Sequence, residues 1–292
     1  MKLAKAAVLV VLLLVAVTPG FAWEPTGHTL ITNHALQLVS PEMKPFYDAN
    51  ARYIAAFCTL PDDWRVTYKT EVGPNHFIDL DLLSKPPFTD MILGRAAAEK
   101  RFGKAELLKA GVLPWAIEDR FNKLVSAMKT GDSVQIALQS AVMAHYIGDV
   151  HVPLHNTKDY DGRTANAKGI HFRWEQTLLL IALKPEAVNA SAPAKVDGPI
   201  LESAFGWCID SWSMCDAIFE ADDKAREVDS TFGYRYYQSM WESTGPMMIS
   251  QLDYASERLA GAWIAAWKQA GKPKLSDKPA PYFWKEYGGG SP

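Results

Sequence analysis

Five of the chain's seven histidines fall, with three acidic residues, at spacings that suit a zinc cluster. The densest piece reads His145-Tyr-Ile-Gly-Asp149-Val-His151-Val-Pro-Leu-His155, and a second reads His171-Phe-Arg-Trp-Glu175. Each pairs a histidine with a carboxylate four residues on, which a helix places on one face, a turn apart. Two such pairs facing each other across a helical bundle can hold divalent metal between them. Zinc takes imidazole nitrogen and carboxylate oxygen, and a catalytic site leaves a position open for water. The expected chemistry is therefore metal-assisted hydrolysis. The candidate ligands are His28, Asp62, His76, His145, Asp149, His155, His171 and Glu175.

A ninth ligand depends on processing. Lys2 and Lys5 precede an apolar run from Ala6 to Val17, followed by Thr18-Pro19-Gly20-Phe21-Ala22. This pattern reads as a secretory signal, 1–22, cut after Ala22, and the run is too short for a comfortable membrane span. The mature chain would begin at Trp23, whose free amine and carbonyl can chelate a metal as a five-membered ring, with His28 close behind. The protein is then expected to be secreted or periplasmic. Losing the two signal lysines moves the formal charge from −3 to −5. A mildly acidic surface offers no broad electrostatic footprint for nucleic acid or anionic lipid, so attraction for phosphate must be local.

The elements that must position these residues read as helical almost throughout. Apolar spacing predicts helices over 28–39 and 114–129, with Ser40-Pro41 starting another that runs into the fifties. Gly131-Asp132 breaks the second run and caps a helix from Ser133 that delivers His145 and Asp149 at its C-terminal end. Residues 171–183, 199–224 and 242–271 read as helix too. The polar loop 156–170 joins His155 to His171 and must border any site they share, whereas 184–198 is a surface connection. The expected organisation is one all-α domain over 23–278, a multi-helix bundle with long active-site loops, and a flexible tail over 279–292. Cys208 and Cys215, seven apart on one helix, would be about 10 Å apart along its axis, too far for a bridge. Cys58 could pair with either, but three cysteines make no disulfide framework.

From Trp23 to about Ala270 the chain resembles the superfamily of zinc-dependent phospholipases C and S-one/P-one nucleases. The matching motifs are Trp23 followed by His28, Asp62 in Leu-Pro-Asp-Asp-Trp-Arg, His76 in His-Phe-Ile-Asp, then His145, Asp149, His155, His171 and Glu175. The resemblance implies an all-helical secreted phosphodiesterase with three zinc ions. Asp62, His76, His145 and Asp149 would hold one zinc. His155, His171 and Glu175 would hold a second, and Trp23, His28 and Asp149 a third, with Asp149 bridging. Three zincs against the carboxylates of Asp62, Asp149 and Glu175 leave about +3 in a cleft, enough to attract a phosphodiester. The expected nucleophile is zinc-bound hydroxide. Asp62 would orient the water, Arg65 would clamp phosphate oxygens, and Phe77 would offer a stacking face to a base.

Other readings of single residues stand beside these. Asp63 competes with Asp62 as the ligand. His34 reads as structural, and His151 as a packing or supporting residue. Asp79 and Asp81 read as partners of local backbone, Arg65 could form a surface ion pair, and Phe77 could belong to the core. At the level of the whole protein, the step from Trp23 to His28, the His-Phe-Ile-Asp string and Ser256-Glu-Arg-Leu-Ala-Gly-Ala-Trp favour a nuclease acting on single-stranded DNA or RNA. Glu175, where nucleases of this kind usually carry Asp, points instead to a phospholipase C acting on lipid head groups. A secreted zinc-binding module without turnover is the third reading, although structural zinc sites usually rely on Cys. No stable protein partner is implied, and a monomer is expected.

Overall fold

The computed structural model describes residues 23–68 and 72–281; residues 1–22, on which the expected secretory signal falls, and the tail residues 282–292 lie outside the described residues. Among the described residues the architecture is all-helical, and the strand pairing is one isolated bridge between Ile78 and Gly111. The α-helices of six or more residues are α1 (Glu24–Leu38), α2 (Lys44–Phe57), α3 (Leu60–Thr67), α4 (Arg95–Phe102), α5 (Lys104–Lys109), α6 (Leu113–Thr130), α7 (Ser133–Val150), α8 (Ile200–Trp212), α9 (Cys215–Val228) and α10 (Tyr234–Gln269).

Helix α7 is the axis of the molecule. It packs on α1, α2, α3, α6, α8 and α10, and every residue from Ile136 to Val150 is buried. A helix surrounded on all sides is expected to be apolar all round, and the stretch from Ala141 to Ala144 is. The exceptions, His145 and Asp149, bury ionisable groups where these are costly without partners. Its start follows the sequence expectation: the Asp132 carboxylate accepts from the backbone N–H groups of Val134 and Gln135, at 3.1 and 3.0 Å, satisfying two donors the first turn leaves open.

Several boundaries differ from the sequence expectation, each for a local reason. Ser40 does not open α2; its carbonyl accepts from the backbone N–H groups of Met43 and Lys44 in a tight turn, and the helix starts at Lys44. The run 199–224 divides into α8 and α9 at Ser213, whose hydroxyl donates to the Asp210 carbonyl and competes with the helical ladder. The last helix begins at Tyr234, ahead of 242, and carries Pro246 in its interior. The run 171–183 is composite, with a π-helical turn over Arg173–Leu178 between two short α segments. Cys58, Cys208 and Cys215 are all buried free thiols, so the pairing left open for Cys58 does not form. No helix among the described residues is long and apolar enough to cross a membrane.

Candidate metal centre

Five elements converge on the C-terminal end of α7. Its own last turns supply His145 and Asp149, both fully buried. Helix α1 brings His28, whose ring stacks on that of His145 with centroids 4.1 Å apart. That approach needs a residue without a side chain on α7: a Cβ on Gly148 would lie 2.7 Å from His28 Nδ1. Trp23 precedes α1 and is pinned to the same residue, its indole N–H donating to the Gly148 carbonyl at 2.9 Å. Helix α3 contributes Asp62, and the short turn Gly73–His76 contributes His76. The segment after His76 is stitched on both sides, since the Ile78 N–H donates to the His155 carbonyl and the Asp79 N–H to the Ala110 carbonyl. His155 follows α7 in the turn Pro153–Asn156, and His171 with Glu175 comes from the composite helix.

These side chains form three groups with metal-binding donor sets: His28, His145 and Asp149; Asp62, His76 and His145; and His155, His171 and Glu175. Asp149 joins the first two. Its Oδ1 lies 3.5 Å from His28 Nε2, and its Oδ2 lies 3.1 Å from His76 Nδ1 and 3.4 Å from His145 Nε2. Asp62 Oδ1 is 3.7 and 3.6 Å from the same nitrogens of His76 and His145. In the third group Glu175 Oε2 is 3.3 Å from His155 Nε2 and 3.0 Å from His171 Nε2. Four donors at zinc's usual bond lengths stand about 3.3–3.5 Å apart on a tetrahedron, so the spacing fits that ion. Buried atoms without a hydrogen-bond partner include Asp62 Oδ1, Asp149 Oδ1, His155 Nε2, His171 Nε2 and both Glu175 oxygens. Such a concentration of unsatisfied donors and acceptors is rare in a folded interior, and a cation satisfies it. The far nitrogens of two rings are already fixed, His145 Nδ1 against the Cys58 carbonyl at 2.9 Å and His155 Nδ1 against the His76 carbonyl at 2.7 Å. That leaves their Nε2 lone pairs turned to the cluster.

The electrostatics give the same demand in another form. Burial, opposed by Arg65 and reinforced by Glu175 and Asp63, pushes the Asp62 carboxyl up to about 8. Burial also pushes Asp149 well above the carboxylate range, with Asp62 and Glu175 adding to it. Burial holds His76 and His145 well below the usual imidazole value. Glu175 departs from this pattern: burial would raise its carboxyl, but His171 and His155 outweigh that and hold it at about 2. Metal-free protein should therefore become less stable as pH rises from about 7.5 to about 8. In that window the unfolded carboxylates have long lost their protons, the unfolded histidines are already neutral, and only the raised carboxyls favour a protonated fold. Each contributes up to about 1.4 kcal/mol per pH unit. Chelator-treated protein melted across this range should show a falling Tm that added zinc flattens; a Tm that rises with pH would contradict the carboxyl assignments.

Beside the third group opens a cavity of about 340 Å³ lined by Arg65, His76, Phe77, Asp79, Leu154, His155, Tyr160 and His171. It brings both sequence-nominated substrate residues, Arg65 and Phe77, to the cluster. It also contains two residues the sequence reading did not nominate. Tyr160 lies in the loop 156–170, expected to border the site, and its ring meets His171 edge-on at 5.5 Å. Asp79 lines the cavity, where burial first, then Asp81 and Asp159, lift its carboxyl to about 7. Asp81 by contrast serves local structure, accepting from the Thr157 hydroxyl and the Lys158 N–H at 3.0 Å each. Asp63 is exposed, whereas Asp62 beside it on α3 is buried. His151 stays out of the metal groups, its Nδ1 against the Ile147 carbonyl at 2.6 Å and its Nε2 facing Arg258 at 3.1 Å. His34 is also outside them.

Residues 23–181 match the family model described as S1/P1 Nuclease. The chain is also similar to Endonuclease 5 of Arabidopsis thaliana, 28% identical over 184 residues, covering 55% of this chain and 62% of that protein. It thus spans less than two thirds of the length of the curated relative it matches.

Proposed function

The chain belongs to the S1/P1 nuclease family, and on that footing we propose that it is a secreted zinc-dependent phosphodiesterase that hydrolyses single-stranded nucleic acid. One observation carries the reading: three metal-binding groups, two of them linked through His145, adjoin a cavity that His76, His155 and His171 line together with aromatic rings and the Arg65 guanidinium. Three zinc ions would be held by Asp62, His76, His145 and Asp149; by His155, His171 and Glu175; and by His28, Asp149 and the amine and carbonyl of Trp23, freed by cleavage after Ala22. Zinc in these groups supplies the Lewis acidity that makes water a nucleophile at neutral pH and offsets phosphate charge.

The chain's own residues do the rest. Asp62 accepts a proton of the attacking water and orients it. Arg65, one turn along α3 from Asp62, clamps non-bridging phosphate oxygens with its planar fork. Phe77 and Tyr160 offer flat faces to a base, and Asp79 offers a hydrogen-bonding group to its edge. Single strands suit this cavity because an unpaired base can leave its stack and enter. Kinetics with a short oligonucleotide separate the roles. Phe77→Ala should raise KM about 10-fold with kcat little changed, the effect of losing one base-stacking platform. Arg65→Ala should lower kcat by about 10²-fold, the cost of removing one charge-stabilising donor. Equal loss of both constants in both variants would mean that neither residue has its assigned role.

A phospholipase C reading rests on Glu175, which lies within the zinc-binding group of His155 and His171. The aromatic walls would also accept a quaternary ammonium head group. Comparing initial rates on single-stranded DNA and on phosphatidylcholine decides between the substrates.

A further inference from the structure

The two ligands His171 and Glu175 flank Arg173, a buried arginine. On a helical turn, a residue two positions from each ligand points to the opposite face, and Arg173 does so, away from the cluster and into α9 and α10. Four of its five N–H donors are engaged there. Its Nε donates to the Tyr236 hydroxyl at 2.9 Å, Nη1 to the Lys168 carbonyl at 2.7 Å, and Nη2 to the Ala167 carbonyl at 3.0 Å and to Asp222 Oδ1 at 2.9 Å. The guanidinium also lies over the Phe232 ring, 4.2 Å from its centroid.

We propose that Arg173 is a positioning residue that fixes both the His171–Glu175 half of the metal centre and the loop wall of the substrate cavity. Two lines of geometry meet in it. The first is the turn itself. Arg173 opens the π-helical segment that sets Glu175 against His171 and His155; local π turns recur at functional sites and need a specific anchor. The second is the loop. The carbonyls Arg173 holds end the segment 156–170, and the Gly169 N–H donates to Asp161 Oδ1 at 2.8 Å. Tyr160 of the cavity wall is the next residue back. Gly169 allows this closure, with φ at 88° and a Cβ position that would stand 2.9 Å from Arg173 Nη1. The anchors Asp222, Phe232 and Tyr236 all lie beyond residue 181, where the family match ends, so the C-terminal helices reach the site through this side chain, beside the neighbouring Trp174, whose indole N–H donates to the Thr244 hydroxyl at 3.2 Å. A lysine cannot replace it, since an ammonium lacks the planar fork that serves two carbonyls, a hydroxyl and a carboxylate at once.

The inference rests on the nuclease reading only for its kinetic readout, and the test uses the zinc-loaded protein. Arg173→Lys and Tyr236→Phe would be compared with wild type and with Met248→Ala, a buried α10 change remote from this network. Graded chelator should strip one zinc from Arg173→Lys at a concentration about 10–100-fold lower than from wild type, the usual cost of losing a supporting partner. Tyr236→Phe should shift the same way by less. KM for a single-stranded oligonucleotide should rise in both, while Met248→Ala lowers Tm and leaves zinc retention and KM at wild-type values. The proposal is overturned if zinc retention and KM of Arg173→Lys follow only its loss of Tm, as in Met248→Ala. Should Arg173→Lys fail to fold, Tyr236→Phe decides alone: wild-type zinc retention and KM in that variant overturn the proposal. If wild type cleaves no phosphodiester, the nuclease reading fails, and the zinc-retention comparison still decides the role of Arg173.

Discussion

Asp149→Asn should reduce kcat/KM on single-stranded DNA by about 10³-fold or more and lower the zinc content of the purified protein. Asp149 is the carboxylate whose oxygens face two metal groups, Oδ1 toward His28 and Oδ2 toward His76 and His145. Asparagine keeps the shape but exchanges one oxygen for an NH₂ with no lone pair to give and removes the negative charge that offsets two cations. Losing one electrostatic group in an active site costs about 10²–10³-fold, and this change touches two metals at once. Kinetics and metal analysis on the same preparation check it. Asp62→Asn should cost less zinc, since Asp62 belongs to one group. A full zinc complement and a near-normal rate in Asp149→Asn would remove the shared-ligand geometry from contention.

Gly148→Ala should separate stability from metal binding. Gly148 lies in the last turn of α7, where the change gains at most about 1 kcal/mol of propensity, while overpacking a buried site costs about 1–3 kcal/mol. The net effect on the metal-free fold is therefore modest, at most about 3 kcal/mol of destabilisation. The metal site has no such compensation. The new methyl would stand 2.7 Å from Nδ1 and 2.9 Å from Cε1 of His28. That ring is fully buried and stacked on His145, so it must leave its place. Zinc affinity at the His28–Asp149 group should fall about 10–100-fold, with loss of activity to match. Zinc titration beside melting curves measures both; wild-type zinc affinity would show that His28 has room to move.

The helical class was legible because the signals for it are local. Apolar spacing along 114–129 and the Gly131-Asp132 break follow from backbone geometry and capping alone, and the Asp132 cap forms as read. Boundaries that depend on competition between local hydrogen bonds were not legible. The Ser213 hydroxyl that parts α8 from α9 and the Ser40 carbonyl that delays α2 are examples. At the site, the proposed side-chain ligands could be named because their types and order are written in the chain, and the fold draws them together. Tyr160 and Arg173 were missed for a different reason. Nothing in the string Thr157-Lys-Asp-Tyr160 says that its ring will meet His171, and an arginine between two ligands looks like a solvated charge. Its partners Asp222 and Tyr236 are 49 and 63 residues away, a separation no local pattern reports. Between Asp62 and Asp63 only the spacing favours Asp62 in the sequence, and the structure buries Asp62 while Asp63 is exposed.

The most direct test is to load protein beginning at Trp23 with zinc and measure initial rates on single-stranded nucleic acid and on phosphatidylcholine, with bound zinc counted in each sample. We expect faster cleavage of nucleic acid, abolished by chelator and restored by zinc, at three ions per chain. Zinc-loaded protein that keeps its metal yet leaves single-stranded nucleic acid intact would contradict the nuclease reading.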